Sequence, residues 1–220
     1  MTMMKQIENS RRSLLISVMP RWLAKISWAG MITLSLVTSA QASPTVLRDI
    51  AGATSAERIE ADIQTLVNFG TRHTLSETVS DTRGIGAARR WIQAEFERIS
   101  ATCGGCLEVR VQSEVISGED RIPVPTAVVN VIAILKGTTD PDRYVIMSGD
   151  IDSRITDPLN STDDSPGAND NASGMAGVLE AARVLSRYRF PGSIVFAGLS
   201  GEEQGLFGGQ IMARQAVAQG

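Results

Sequence analysis

A chain of 220 residues in which 43% of the side chains are apolar has material for one packed domain, so composition excludes disorder. The net charge of −3 conceals a split. Residues 1–42 carry five Lys or Arg and one acid, whereas residues 43–220 carry 16 basic against 23 acidic side chains, a balance of −7 that excludes a basic nucleic-acid footprint.

The first segment reads as an export signal. Arg21 and Lys25 flank an apolar run from Ile26 to Val37, and Ala40-Gln41-Ala42 is a small-x-small cleavage site. The run is shorter than the ~20 residues that span a bilayer. The expectation is therefore a leader over residues 1–42, a mature chain from Ser43, no stable membrane insertion after cleavage, and periplasmic or extracellular residence.

Residues 43–53 read as a short entry segment. Thr54 and Glu57 then have capping-box spacing before a helix with Ile59, Ile63, Leu66 and Val67 on one face. A second helix carries Ile85, Ala88, Ile92, Phe96 and Ile99 on one stripe. Cys103-Gly-Gly-Cys106 follows it. In an exported chain this pair reads as a local disulfide between Cys103 and Cys106 that pins a helix-to-strand turn. A redox pair of the thioredoxin type has the opposite order, strand before helix.

Period two then replaces period 3.6. Leu107, Val109 and Val111 alternate with Glu108, Arg110 and Gln112, as in a half-buried strand. Ala127 to Leu135 is almost wholly apolar, as a strand covered on both faces would be, and Tyr144 to Met147 is a second such run. Met175, Val178, Leu179, Ala182 and Leu185 mark a third helix, and Pro191-Gly192 leads into the apolar strand Ile194 to Leu199. The strand–helix–strand order at the end implies a parallel pair, and the earlier two strands an antiparallel one. The expected fold class is α/β, a mixed, mostly parallel sheet with helices on both faces.

Acids gather where such sheets place their sites, beyond the carboxyl ends of parallel strands. Asp150 and Asp152 follow the first parallel strand, Glu202 and Glu203 the second, and Asp170 opens the helix between them. Repulsion among carboxylates from three segments is severe unless cations are bound. A carboxylate has two diverging oxygens with which to bridge a metal pair, and a neighbouring free carboxylate is placed to take a proton from water. Each acid alone is an ordinary turn or cap residue.

The wording of these segments carries a resemblance. Pro166-Gly167-Ala168-Asn169-Asp170-Asn171-Ala172-Ser173-Gly174, Ser200-Gly201-Glu202-Glu203-Gln204-Gly205-Leu206-Phe207-Gly208 and Ser148-Gly149-Asp150-Ile151-Asp152-Ser153 are similar to the three site motifs of the M28 zinc metallopeptidases, over roughly residues 55–220. The resemblance implies a zinc-exopeptidase-like fold and removal of N-terminal residues from peptide substrates, with two zinc ions as cofactors. It implies Asp170 as the carboxylate bridging the metals, Glu202 as general base and Glu203 as a ligand of one metal. Asp152 matches the acid that orients the first ligand. The same scaffold also hosts carboxypeptidase and glutaminyl cyclase chemistry.

Two departures accompany it. The family normally has His where this chain has Asp150. As a metal ligand Asp150 adds charge and a harder oxygen donor, which favours Mn or Mg; as a bystander it is a loop acid in a decayed site. The family also draws a further Asp and His from loops downstream of Glu203, whereas this chain ends at Gly220 and its single histidine, His73, matches no metal ligand. The expectation is a C-terminally truncated catalytic domain over 43–220, each metal one ligand short, or a non-catalytic remnant. His73 reads as a surface or packing residue. An unpaired sheet edge is expected near Val195.

Overall fold

The computed structural model describes residues 44–219. The leader expected over residues 1–42, with its cleavage site, lies outside the described residues. Helix α1 (Pro44–Gly52) occupies the expected entry segment and buries no side chain. Helix α2 (Ala56–Asn68) follows, capped one residue later than the sequence suggests. Ser55, not Thr54, accepts the Arg58 N–H, and Ser55 Oγ donates to Glu57. Both hydroxyls suit a cap. Ser55 is fixed because its own N–H donates to Glu180 on a later helix at 2.8 Å.

Helix α3 (Gly84–Thr102) buries the predicted stripe of Ile85, Ala88, Ile92, Phe96 and Ile99. Each such side chain taken fully out of water contributes ~1.5–3 kcal/mol for the larger aliphatic and aromatic residues. The helix ends at Cys103, which is disulfide-bonded to Cys106, and β1 (Leu107–Ile116) begins directly after. The expected pin between helix and strand is present.

Four strands make the sheet, in the order β1, β2 (Thr126–Leu135), β4 (Gly192–Leu199), β3 (Asp140–Asp150). Strand β2 runs antiparallel to both β1 and β4, with Val111 opposite Val131 and Ala133 opposite Phe196. Only β3 and β4 are parallel, in register from Val145–Ile194 to Asp150–Leu199. The sheet is thus mixed as expected, but among the described residues its parallel character is confined to one pair of three. The physical reason is connectivity. Helix α4 (Ser173–Leu185) is the one helical crossover between strands, and β4 inserts between β2 and β3.

Helices α2, α3 and α4 cover one face, where Leu66, Phe96, Val131, Met175, Leu179 and Phe196 form the main core. Helix α5 (Phe207–Gln219) lies on the other face, with Met212 against a small cluster of Ile132, Val195 and Ala197. Helices therefore sit on both faces. Val195 is buried in a strand paired on both sides, which corrects the expected edge. Among the described residues the edge strands are β1 and β3. Tyr144, Val145, Ile146 and Met147, read from sequence as a doubly covered strand, are 40–63% exposed. An apolar run reports that a strand is built for burial, not which neighbours cover it.

Candidate active site

The parallel pair ends at Asp150 and Leu199, and both strands run on into the segments that hold the predicted acids. Gly149 allows this approach. A Cβ there would stand 2.7 Å from the Met175 N and 2.8 Å from the Gly174 carbonyl carbon, so the end of β3 lies directly against the start of α4. Asp170 sits in the irregular helical turn Ala168–Ala172 that feeds α4, and the Asp170–Asn171 peptide is cis. Gly167, at φ 44°, makes the turn into it, where a Cβ would meet Asp170 O at 2.4 Å.

Asp152 is the best-defined of the predicted residues. It is fully buried and accepts from the Thr74 hydroxyl at 2.9 Å and from the backbone N–H groups of Glu202 and Glu203, each at 3.2 Å. One carboxylate thereby ties the end of β3 to both glutamates after β4. Burial pushes its carboxyl above the usual Asp range, while those three donors pull it down.

The other acids bring their charges together with Arg154 as the one cation acting on them among the described residues. Burial, followed by the charges of Asp152, Glu202, Asp170 and Glu203, pushes the Asp150 carboxyl up to about 6. Burial also raises Glu202, with Glu203, Asp152 and Asp170 adding to it and Arg154 opposing. Among the described residues Asp150, Asp170 and Glu202 form no ion pair. Glu203 does, with Arg154 Nε 2.6 Å from its carboxylate. A divalent cation fits this field, because it offsets both the burial and the repulsion that hold Asp150 up. Among the described residues, however, no group of three or more His, Cys, Asp or Glu side chains is arranged to hold a metal. They offer a partial set of oxygen donors.

Sequence reasoning missed the supports. Arg72 is 1% exposed and has no carboxylate partner. Its guanidinium donates to four carbonyls instead: Ile151 at 2.9 Å, Leu66 at 3.0 Å, Pro166 at 2.7 Å and Gly167 at 3.0 Å. It therefore joins α2, the end of β3 and the turn leading to Asp170. Burial lowers its pKa to about 10, and Asp152 opposes that shift. Asn130 in β2 does similar work, accepting from the Ser200 N–H at 3.0 Å and donating to Gly208 O at 2.9 Å across the Glu202–Glu203 segment. A lone Arg in Gly70-Thr71-Arg72-His73 and an Asn inside an apolar strand were the available signals, since polar groups buried in such places need partners.

His73 is buried among these supports, so the surface reading is corrected and the packing reading holds. The Leu75 N–H donates to Nδ1 at 3.1 Å, which leaves the proton on Nε2, 3.0 Å from the Pro158 carbonyl. Burial lowers its pKa.

Residues 130–219 match the model of peptidase family M28. A probable zinc metalloprotease of Pyrenophora teres f. teres is 49% identical over 168 residues, covering 76% of this chain and 35% of that protein. Among solved structures, the Legionella pneumophila LapA aminopeptidase superposes with a TM-score of 0.58 at 20% identity, over 79% of this chain and 43% of that one. A Porphyromonas gingivalis glutaminyl cyclase does so with 0.51 at 24%, over 67% and 46%. These two show a shared fold. The chain spans about a third of the length of the curated relatives it matches.

Proposed function

We propose that this chain, whose residues 130–219 match peptidase family M28, is the front portion of the catalytic domain of a metal-dependent aminopeptidase of that family. The observation that carries the reading is the gathering of Asp150, Asp152, Asp170, Glu202 and Glu203 at the carboxyl end of β3 and β4, where Asp150, Asp170 and Glu202 form no ion pair among the described residues.

In this reading Asp170, Glu203 and Asp150 would hold the metals, zinc by the names of the relatives, with Asp170 shared between two ions. Asp150 adds an oxygen donor that also suits Mn or Mg. Bound there, the metals supply Lewis acidity toward the scissile carbonyl and toward water. Glu202 is the general base. Its raised pKa brings it nearer neutrality, where a carboxylate accepts a proton and returns it most effectively. Asp152 positions Glu202 and Glu203 through their backbone N–H groups, and Arg72 positions the turn that carries Asp170. The substrate class is peptides with a free N-terminus.

The test is hydrolysis of aminoacyl nitroanilides by the complete protein, before and after chelation. Activity that is lost on chelation and restored by zinc is expected. Turnover on N-terminal glutamine cyclisation or on free C-termini alone would replace the reaction while leaving the scaffold. A second reading, a non-catalytic M28-like module, is favoured by the lack of a three-donor group among the described residues. Complete protein that holds no metal at stoichiometric zinc would select it.

We also propose export, to the periplasm or the medium. The Cys103–Cys106 disulfide supports an oxidising compartment. No helix among the described residues is long and apolar enough to cross a membrane.

A further inference from the structure

Five arginines converge at the other end of the fold. An open cleft of about 550 Å³ lies between the last turns of α3 and α4 and the start of α2, lined by Arg58, Arg98, Arg183, Arg187 and Arg189 beside Cys103. Arg187 and Arg189 immediately precede β4, whereas Glu202 and Glu203 follow it. Eight residues of strand at ~3.3 Å each put the cleft roughly 25 Å from the carboxylates. The cleft is therefore independent of the peptidase reading.

Three acids stand in the same neighbourhood, and all three are committed. Glu180 takes Arg58, Glu95 takes Arg98 and Arg183, and Asp62 takes Arg183. The carbonyl ends of α3 and α4 also oppose an anion. Against them stand two full charges without a partner. Arg187 and Arg189 are exposed and form no ion pair or side-chain hydrogen bond among the described residues. Beneath them Arg183, whose side chain is only 10% exposed, keeps an Nε that has no acceptor.

We propose that this cleft binds a phosphate monoester, its oxygens held by the guanidinium forks of Arg187 and Arg189. Guanidinium suits this ligand because its planar fork pairs with two phosphate oxygens at once. The volume exceeds that of free phosphate and leaves room for the group the ester carries. The same chemistry is offered by a soluble phosphate and by an anionic lipid headgroup.

The test is calorimetric titration of the complete protein with inorganic phosphate at fixed ionic strength, against sodium chloride as control. Saturable binding is expected, weakened about tenfold or more in the Arg187→Ala/Arg189→Ala protein and partly kept in Arg187→Lys/Arg189→Lys, since a lysine holds charge without the fork. Neither site is buried, so both variants should fold. Sedimentation with phosphatidic acid vesicles, whose headgroup is a phosphate monoester, against phosphatidylcholine, identifies the source. Vesicle binding lost in the alanine variant assigns a headgroup, and phosphate binding without vesicle binding assigns a soluble ester. Phosphate and chloride giving equal heats, or unchanged affinity in the alanine variant, overturns the proposal.

Discussion

The two ends of the β3–β4 pair treat acidic residues in opposite ways. Near the amino end of β4, Asp62, Glu95 and Glu180 each meet an arginine; burial that would raise Glu95 and Glu180 is outweighed by those donors, so both lie below the usual Glu range, whereas burial still holds Asp62 above the usual Asp range against Arg183. At the carboxyl end Asp150 and Glu202 are raised, Arg154 only partly offsets the shift of Glu202, and the buried guanidinium of Arg72 is spent on carbonyls. Paired charge at one end locks α2, α3 and α4 together. Unpaired charge at the other end is kept in place by buried supports that do not neutralise it, which is the arrangement the proposed metal site would use.

The largest expected effect separates chemistry from support. Glu202→Gln removes the base and keeps the shape, so kcat of the complete protein should fall about 10²–10⁴-fold with the urea midpoint unchanged. A smaller loss would mean that Glu202 is not the base. Arg72→Leu should act the other way. It strands four carbonyls and the charge of Asp152, and about 3–5 kcal/mol of unfolding free energy should go, read from urea denaturation. If the midpoint hardly moves, the four carbonyls have other partners and the support argument fails.

The ion network at the amino end gives the intermediate case. Glu180→Ala frees Arg58 and the Ser55 N–H, which should cost about 1–3 kcal/mol while peptidase kcat stays the same. A drop in kcat would show the two ends to be coupled.

The smallest effect concerns pH. Asp150 binds its proton more tightly folded than unfolded, since its folded pKa of about 6 exceeds the ordinary 3.8. Metal-free protein should therefore lose stability as pH rises from about 4 to 6, the window in which the unfolded chain binds fewer protons. Asp150→Asn should flatten that loss by on the order of 1–2 kcal/mol, after a discount for partial exposure. Added zinc should reverse it in the original protein. Thermal melts across the pH range, with and without metal, read both. A rise in stability over the same window would contradict the sign.

Much of this was legible in the chain before folding. The stripe from Ile85 to Ile99, the crossover helix at Met175 and the Cys103–Cys106 pair all depend on residues close in sequence, where periodicity reports burial directly, whereas the alternation from Leu107 gave the strand but not its face, since Val111 is 48% exposed. The acids were legible too, because strand ends in an α/β sheet place them without further information. What covers each strand was not. Tyr144 to Met147 and Ile194 to Leu199 are alike as apolar runs, yet one is an edge and the other lies between two partners. Nor was the Arg72 cradle, the Asn130 clamp or the choice of Ser55 over Thr54, since each rests on a partner more than 50 residues away. Sequence by itself determined the elements and the donors, because those follow from local spacing. Tertiary structure alone decided neighbours, edges and which buried charge was paired, because these depend on which distant segments the sheet order brings into contact.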